Sequence, residues 1–223
     1  MGKGIAYLMN CLSRAADFIY YRDDSCLICG REDSHLLCSS CGEKIRKINE
    51  PGEISLDSVT IKVYSYAYYG NVIRELMLRL KYKKDYQAAQ LFSMFLYEKL
   101  KGTGIKPDVI TYIPIREENR KKRGYNQCEL IVKGLSKLTG IKAAELLAIN
   151  EGAKDQIGLS SLERFKNMEG KFRCIYYPKY KDNNILLIDD VITTGATVYQ
   201  GAKALKKCYG GNIYILTIAK SRL

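Results

Sequence analysis

The 223-residue sequence has no tryptophan, a single histidine and no extended apolar run. That histidine, His35, sits among cysteines near the N-terminus, so histidine acid–base chemistry is excluded from the rest of the chain. Apolar runs such as Ile185 to Ile188 and Ile213 to Leu216 fall far short of the roughly 20 residues a membrane helix needs, and no membrane insertion is expected. There is no Gly-x-x-x-x-Gly-Lys-[Ser/Thr], which argues against a P-loop NTPase, and no Gly-x-Gly-x-x-Gly of the dinucleotide folds. No internal repeat or low-complexity tract occurs. Asn10, Arg14 and Asp17 interrupt any apolar stretch of an export signal, and Ala6 stands where a myristoylation site needs Ser or Thr. The expected location is the reducing cytoplasm.

What is present in excess is positive charge. With 36 Lys+Arg against 24 Asp+Glu, the formal charge is +12, which suggests an anionic partner: nucleic acid, a phosphorylated metabolite or a membrane surface. At 47% hydrophobic and 27% charged the composition is that of a globular chain. By the prior of about 150 residues per domain, the length fits one full domain and a small appendage.

Four of the eight cysteines form one array, Cys26-x-x-Cys29 and Cys38-x-x-Cys41. Two such knuckles supply four thiolates to one tetrahedral Zn²⁺, with Gly30 and Gly42 following each to let the chain turn. The alternative is two disulfides or four unrelated thiols, which the reducing compartment and the spacing disfavour. So short a segment buries too little apolar surface to fold unaided, so the metal would be its core. Four thiolates leave no open position, making the site structural; His35 would be a substitute ligand or a surface residue. Cys11, Cys128, Cys174 and Cys208 are isolated and read as small core hydrophobes.

Periodicity and the cysteine array divide the chain into an N-terminal helix (1–21), a zinc module (22–50) and an α/β domain (55–223). The module is expected to run on as a helix over 39–48, and Pro51-Gly52 marks a linker. Residues 59–69 read as a strand or tight hairpin with one wet face, and 71–80 and 86–100 as helices. Strand 108–113, helices 125–138 and 160–168 and a short strand near 171–177 follow. The last unit is sharpest: strand 185–188, loop 189–196, helix 197–208 and strand 213–218. Helices alternating with buried strands indicate an open parallel sheet.

The stretch Ile185-Leu-Leu-Ile-Asp189-Asp190-Val-Ile-Thr193-Thr194-Gly195-Ala196-Thr197 carries the chemistry. Ligands of open α/β sheets bind at the carboxyl ends of strands. A helix start with flanking hydroxyls holds phosphate, and adjacent carboxylates accept from the vicinal hydroxyls of a ribose. The loop therefore fits a ribose 5-phosphate; the bland alternative is a strand-to-helix turn with Asp and Thr as caps.

The same loop resembles the phosphoribosyl-pyrophosphate (PRPP) motif of type I phosphoribosyltransferases. With the cysteine array, Arg74-Glu-Leu-Met-Leu-Arg-Leu-Lys-Tyr82, Ile113-Pro-Ile115, Arg123-Gly-Tyr-Asn-Gln127 and Gln156-Ile-Gly-Leu-Ser160 with Arg164 and Asn167, the chain resembles the ComF-type competence proteins. That family joins an N-terminal zinc ribbon to a type I phosphoribosyltransferase-like α/β domain, a parallel sheet with flanking helices. The resemblance implies that Asp189 and Asp190 hold the ribose hydroxyls, directly or through Mg²⁺, and that Thr193, Thr194, Gly195, Ala196 and Thr197 hold the 5-phosphate. The strand end at Pro114 would line the pyrophosphate side. Arg116, Arg120, Lys121 and Arg123 would reach the pyrophosphate or a nucleic-acid backbone, or form a solvated loop. Tyr125 is a core aromatic or a stacking platform for a base.

The resemblance further implies single-stranded DNA as a partner during uptake for natural transformation, beside a ComF helicase-like protein and a DNA-processing protein, with 18 tyrosines available for stacking. The alternative is an active Mg²⁺-dependent phosphoribosyltransferase moving ribose 5-phosphate from PRPP to a nucleobase or amine. No residue declares itself as its general base.

Overall fold

The computed structural model describes residues 25–33, 35–56, 59–150 and 170–221. The expected helices over 1–21 and 160–168 lie outside them. Helix α1 (Ser39–Gly42) carries Cys41, and β1 (Gly52–Leu56) and β2 (Val59–Tyr68) form an antiparallel hairpin. After them come α2 (Asn71–Tyr82), α3 (Tyr86–Lys101), β3 (Val109–Tyr112), α4 (Glu117–Arg123) and α5 (Gln127–Thr139). The chain continues through β4 (Lys142–Ala143), β5 (Leu147–Ile149), β6 (Phe172–Cys174), β7 (Ile185–Ile192), α6 (Ala196–Lys206) and β8 (Ile213–Lys220).

Six strands form one sheet in the order β1-β2-β8-β7-β3-β4, parallel except for the β1 edge; β5 and β6 pair antiparallel apart from it. The apolar run of β7 reflects burial on both faces. Leu186 and Ile188 join the core beneath α2, α3 and α5, while Ile185 and Leu187 join the one beneath α6. Close helix approach adds to the first core: a Cβ on Gly134 of α5 would lie 2.3 Å from Ser93 Oγ on α3, whose hydroxyl donates to the Ile131 carbonyl at 2.9 Å.

Several expected elements change. The linker at Pro51-Gly52 is the entry to edge strand β1. The helix over 39–48 stops at Gly42, because residues 46–48 run antiparallel to β2: Tyr68 N–H donates to the Arg46 carbonyl and Ile48 N–H to that of Tyr66, each at 2.9 Å. Strand pairing outcompetes local helix propensity there. The wet face of β2 is confined to its first half, since residues 63–67 are buried throughout. The basic loop contains helix α4, which buries nothing. Strand β7 runs on to Ile192, so Asp189 and Asp190 are strand residues and the loop shrinks to Thr193–Gly195. Cys174 and Cys208 are half-buried and pack against the core beneath α6. Among the described residues no helix is long and apolar enough to cross a membrane.

Candidate functional site

The carboxyl end of β7 faces the first turn of α5. Asn126 caps that helix, its side chain accepting from Cys128 N–H at 2.9 Å and donating to the Ile113 carbonyl at the end of β3 at 3.0 Å. Gln127 Nε2 donates to Asp190 Oδ2 at 2.9 Å, and Cys128 Sγ lies 3.9 Å from Asp189 Oδ1. The two carboxylates therefore converge on one helix terminus although neighbours along a strand normally alternate. From α2, Lys81 places its ammonium 2.6 Å from Asp190 Oδ2. Arg123 donates to Gln127 Oε1 at 2.8 Å, extending the chain of contacts to Arg123–Gln127–Asp190–Lys81.

Electrostatics follow from burial. Asp189 is pushed up to about 8, first by desolvation and then by the Asp190 charge. Desolvation pulls Lys81 down, but the facing Asp190 outweighs it and holds the ammonium above its ordinary value. Burial, and then both acids, raise the Cys128 thiol well above its usual range, which makes it an inert core residue rather than a nucleophile.

Beyond Ile192 the chain turns at Gly195, whose φ of 83° is a left-handed conformation and which caps α6. A Cβ here would lie 2.4 Å from Ile54 Cδ1. Thr194 Oγ1 accepts from Ala196 N–H at 3.4 Å; Thr193 is exposed, and Thr197 sits half-buried in the first turn, where backbone amides lack intrahelical acceptors. A cleft of about 410 Å³ opens beside Thr193 and Thr194.

The rest of the expected contact set divides. Pro114 and Arg116 are half-buried at the exit of β3, whereas Arg120 and Lys121 are exposed on α4. Tyr125 is buried, its hydroxyl donating to the Leu80 carbonyl, so it packs in the core and anchors the helical turn that carries Lys81. Sequence reasoning did not assign roles to Lys81, Gln127 and Asn126, although two of the stretches that carried the family resemblance contain them.

At the other end of the chain, the Sγ atoms of Cys26, Cys29, Cys38 and Cys41 lie within 4.8 Å of one another. The Cys29–Cys38 separation of 3.7 Å matches the roughly 3.8 Å edge of a tetrahedron with metal–sulfur bonds of about 2.3 Å. Burial raises the Cys26 thiol, but hydrogen bonds from the backbone of Cys38, Cys29 and Ile28 outweigh this and bring it to about 6, favouring a thiolate. Donor chemistry and spacing fit Zn²⁺. His35 lies outside the cluster, its ring nitrogen 3.1 Å from Asp33.

Fold and site thus define an α/β protein with a mostly parallel sheet, an acid pair at a central strand end and a four-cysteine group. No protein-family model matches the chain. Its curated homologues include competence protein ComFC of Bacillus subtilis, 28% identical over 203 residues, covering 88% of this chain and 78% of that one. ComFC of Streptococcus pneumoniae is 24% identical, covering 87% and 99%, and DNA utilization protein YhgH of Escherichia coli K12 is 27% identical, covering 81% and 83%. Among solved structures, adenine phosphoribosyltransferase from Thermoanaerobacter pseudethanolicus is 15% identical with a TM-score of 0.43, covering 81% of this chain and 98% of that one.

Proposed function

We propose that the chain binds a ribose 5-phosphate ligand of the PRPP type at the end of β7, and binds single-stranded DNA as a cytoplasmic protein of DNA uptake. The observation that carries the ligand reading is the convergence of Asp189, Asp190 and Lys81 immediately before a glycine-hinged helix start. The carboxyl groups accept from ribose hydroxyls, the Thr193–Thr197 turn takes the 5-phosphate, and Lys81 with Arg123 offers charge to the pyrophosphate side. Mg²⁺, held by a carboxylate and the ligand's own phosphates, would supply charge neutralisation. The DNA reading rests on the charge of +12 and on relatives whose names refer to competence and DNA utilization. The four cysteines hold a structural Zn²⁺ that organises residues 25–50.

Calorimetric titration of PRPP with Mg²⁺ tests the pocket. Wild type should give heat, with binding at least about tenfold weaker for Asp190→Asn and for Thr194→Ala, a loss of ~1.4 kcal/mol or more. No heat with any of them would overturn the ligand reading. DNA affinity that stays flat as salt rises would overturn phosphate contact.

A further inference from the structure

A second cleft, of about 260 Å³, lies in the seam between the cysteine module and the α/β domain, lined by Lys44, Arg46, Tyr68, Tyr69, Gly70 and Asn71. Tyr68 stands between it and the 410 Å³ cleft, whose lining includes Lys220, Thr193 and Thr194. Residues 46–48 pair with β2 across this seam. Arg46 places its guanidinium 5.3 Å from the centroid of the Tyr68 ring, and Tyr69 exposes 36% of its surface. Lys44, Arg46 and Lys220 form no ion pair among the described residues. Lys47, by contrast, is committed to Glu98 at 2.5 Å. Glu50 and Glu53 line the 410 Å³ cleft, whereas the lining of the 260 Å³ cleft holds Lys44 and Arg46 and no acid.

We infer that this seam is where single-stranded DNA lies, its phosphates on Lys44 and Arg46 and one base on Tyr69. The inference rests on the DNA-binding reading above and moves its surface from the basic helix α4 to the module boundary. Cations interleaved with aromatic faces are the recognition chemistry of single strands, whose unpaired bases stack where a duplex hides them. At about 260 Å³ the cleft is large enough to admit a single base.

Fluorescence anisotropy with a labelled single-stranded oligonucleotide of roughly 20 nucleotides, at several salt concentrations, tests it. Lys44→Gln with Arg46→Gln should lower the slope of log affinity against log salt by about 1.4, at ~0.7 per single-strand phosphate contact. Tyr69→Ala should weaken binding about tenfold with the slope unchanged. Arg120→Gln with Lys121→Gln should match wild type, and circular dichroism melts check that each variant folds. If the α4 variant loses the slope and the seam variants do not, the inference falls while DNA binding stands. A duplex that competes as well as the single strand overturns the stacking contact. If wild type binds no single strand, the functional reading itself falls, and the seam assignment with it.

Discussion

Replacing Asp189 with asparagine should stabilise this protein, and by an amount that depends on pH. In the folded chain Asp189 titrates at about 8 against an ordinary 3.8, because it is buried beside the Asp190 carboxylate. The folded state therefore keeps a proton that the unfolded state releases above about pH 4, and stability falls as pH climbs from there toward 8. At about 1.4 kcal/mol per unit, four units set a ceiling of roughly 6 kcal/mol. The Lys81 ammonium, 2.6 Å from Asp190, already acts to lower the Asp189 value. Water entry and relaxation around the buried pair bring the expected loss to about 2–3 kcal/mol. The Asp189→Asn side chain keeps the acceptor for Asp190 N–H, 2.9 Å away in the wild type, and its amide replaces the carboxylic O–H, but it does not titrate. Urea unfolding should find the two proteins equal near about pH 4.5 and the variant about 2–3 kcal/mol more stable near about pH 8, with weaker PRPP binding. Parallel stability curves across that range would refute the argument.

Two further outcomes can be checked. Reduced, freshly purified protein should contain one zinc per chain, and Cys38→Ser should lose both the metal and the protease resistance of residues 25–50; a metal content far below one would remove the zinc site. Gly195→Ala should cost about 2–3 kcal/mol, combining ~1–2 for a left-handed alanine with the approach to Ile54. Pairing it with Ile54→Ala should recover only the steric part, and full recovery in thermal melts would contradict the φ argument.

Much of this architecture was legible because β7 and β8 are buried on both faces and read as continuous apolar runs, and because α2, α3 and α5 have one apolar stripe each. Strand β1 was not legible: Gly52-Glu53-Ile54-Ser55-Leu56 is a short edge strand with little apolar content, and only its pairing with residues 59–63 makes it one. Helix α4, Glu117–Arg123, buries no side chain and so carries no hydrophobic period. The Asp189–Asp190 pair stood out as a motif, but its surroundings did not. Gln127 reaches Asp190 from 63 residues away along the chain and Lys81 from farther still, contacts that no local pattern encodes.

Asn126 gives the start of α5 two attachments, to its own helix and to the exit of β3. A ligand that pulled on the Ile113–Pro114 backbone would therefore tug Gln127 in the same stroke, and through it the acid on the neighbouring strand. In the proposed cradle, one asparagine thus ties the exit of β3, on the side assigned to the pyrophosphate, to the helix start that faces the acids.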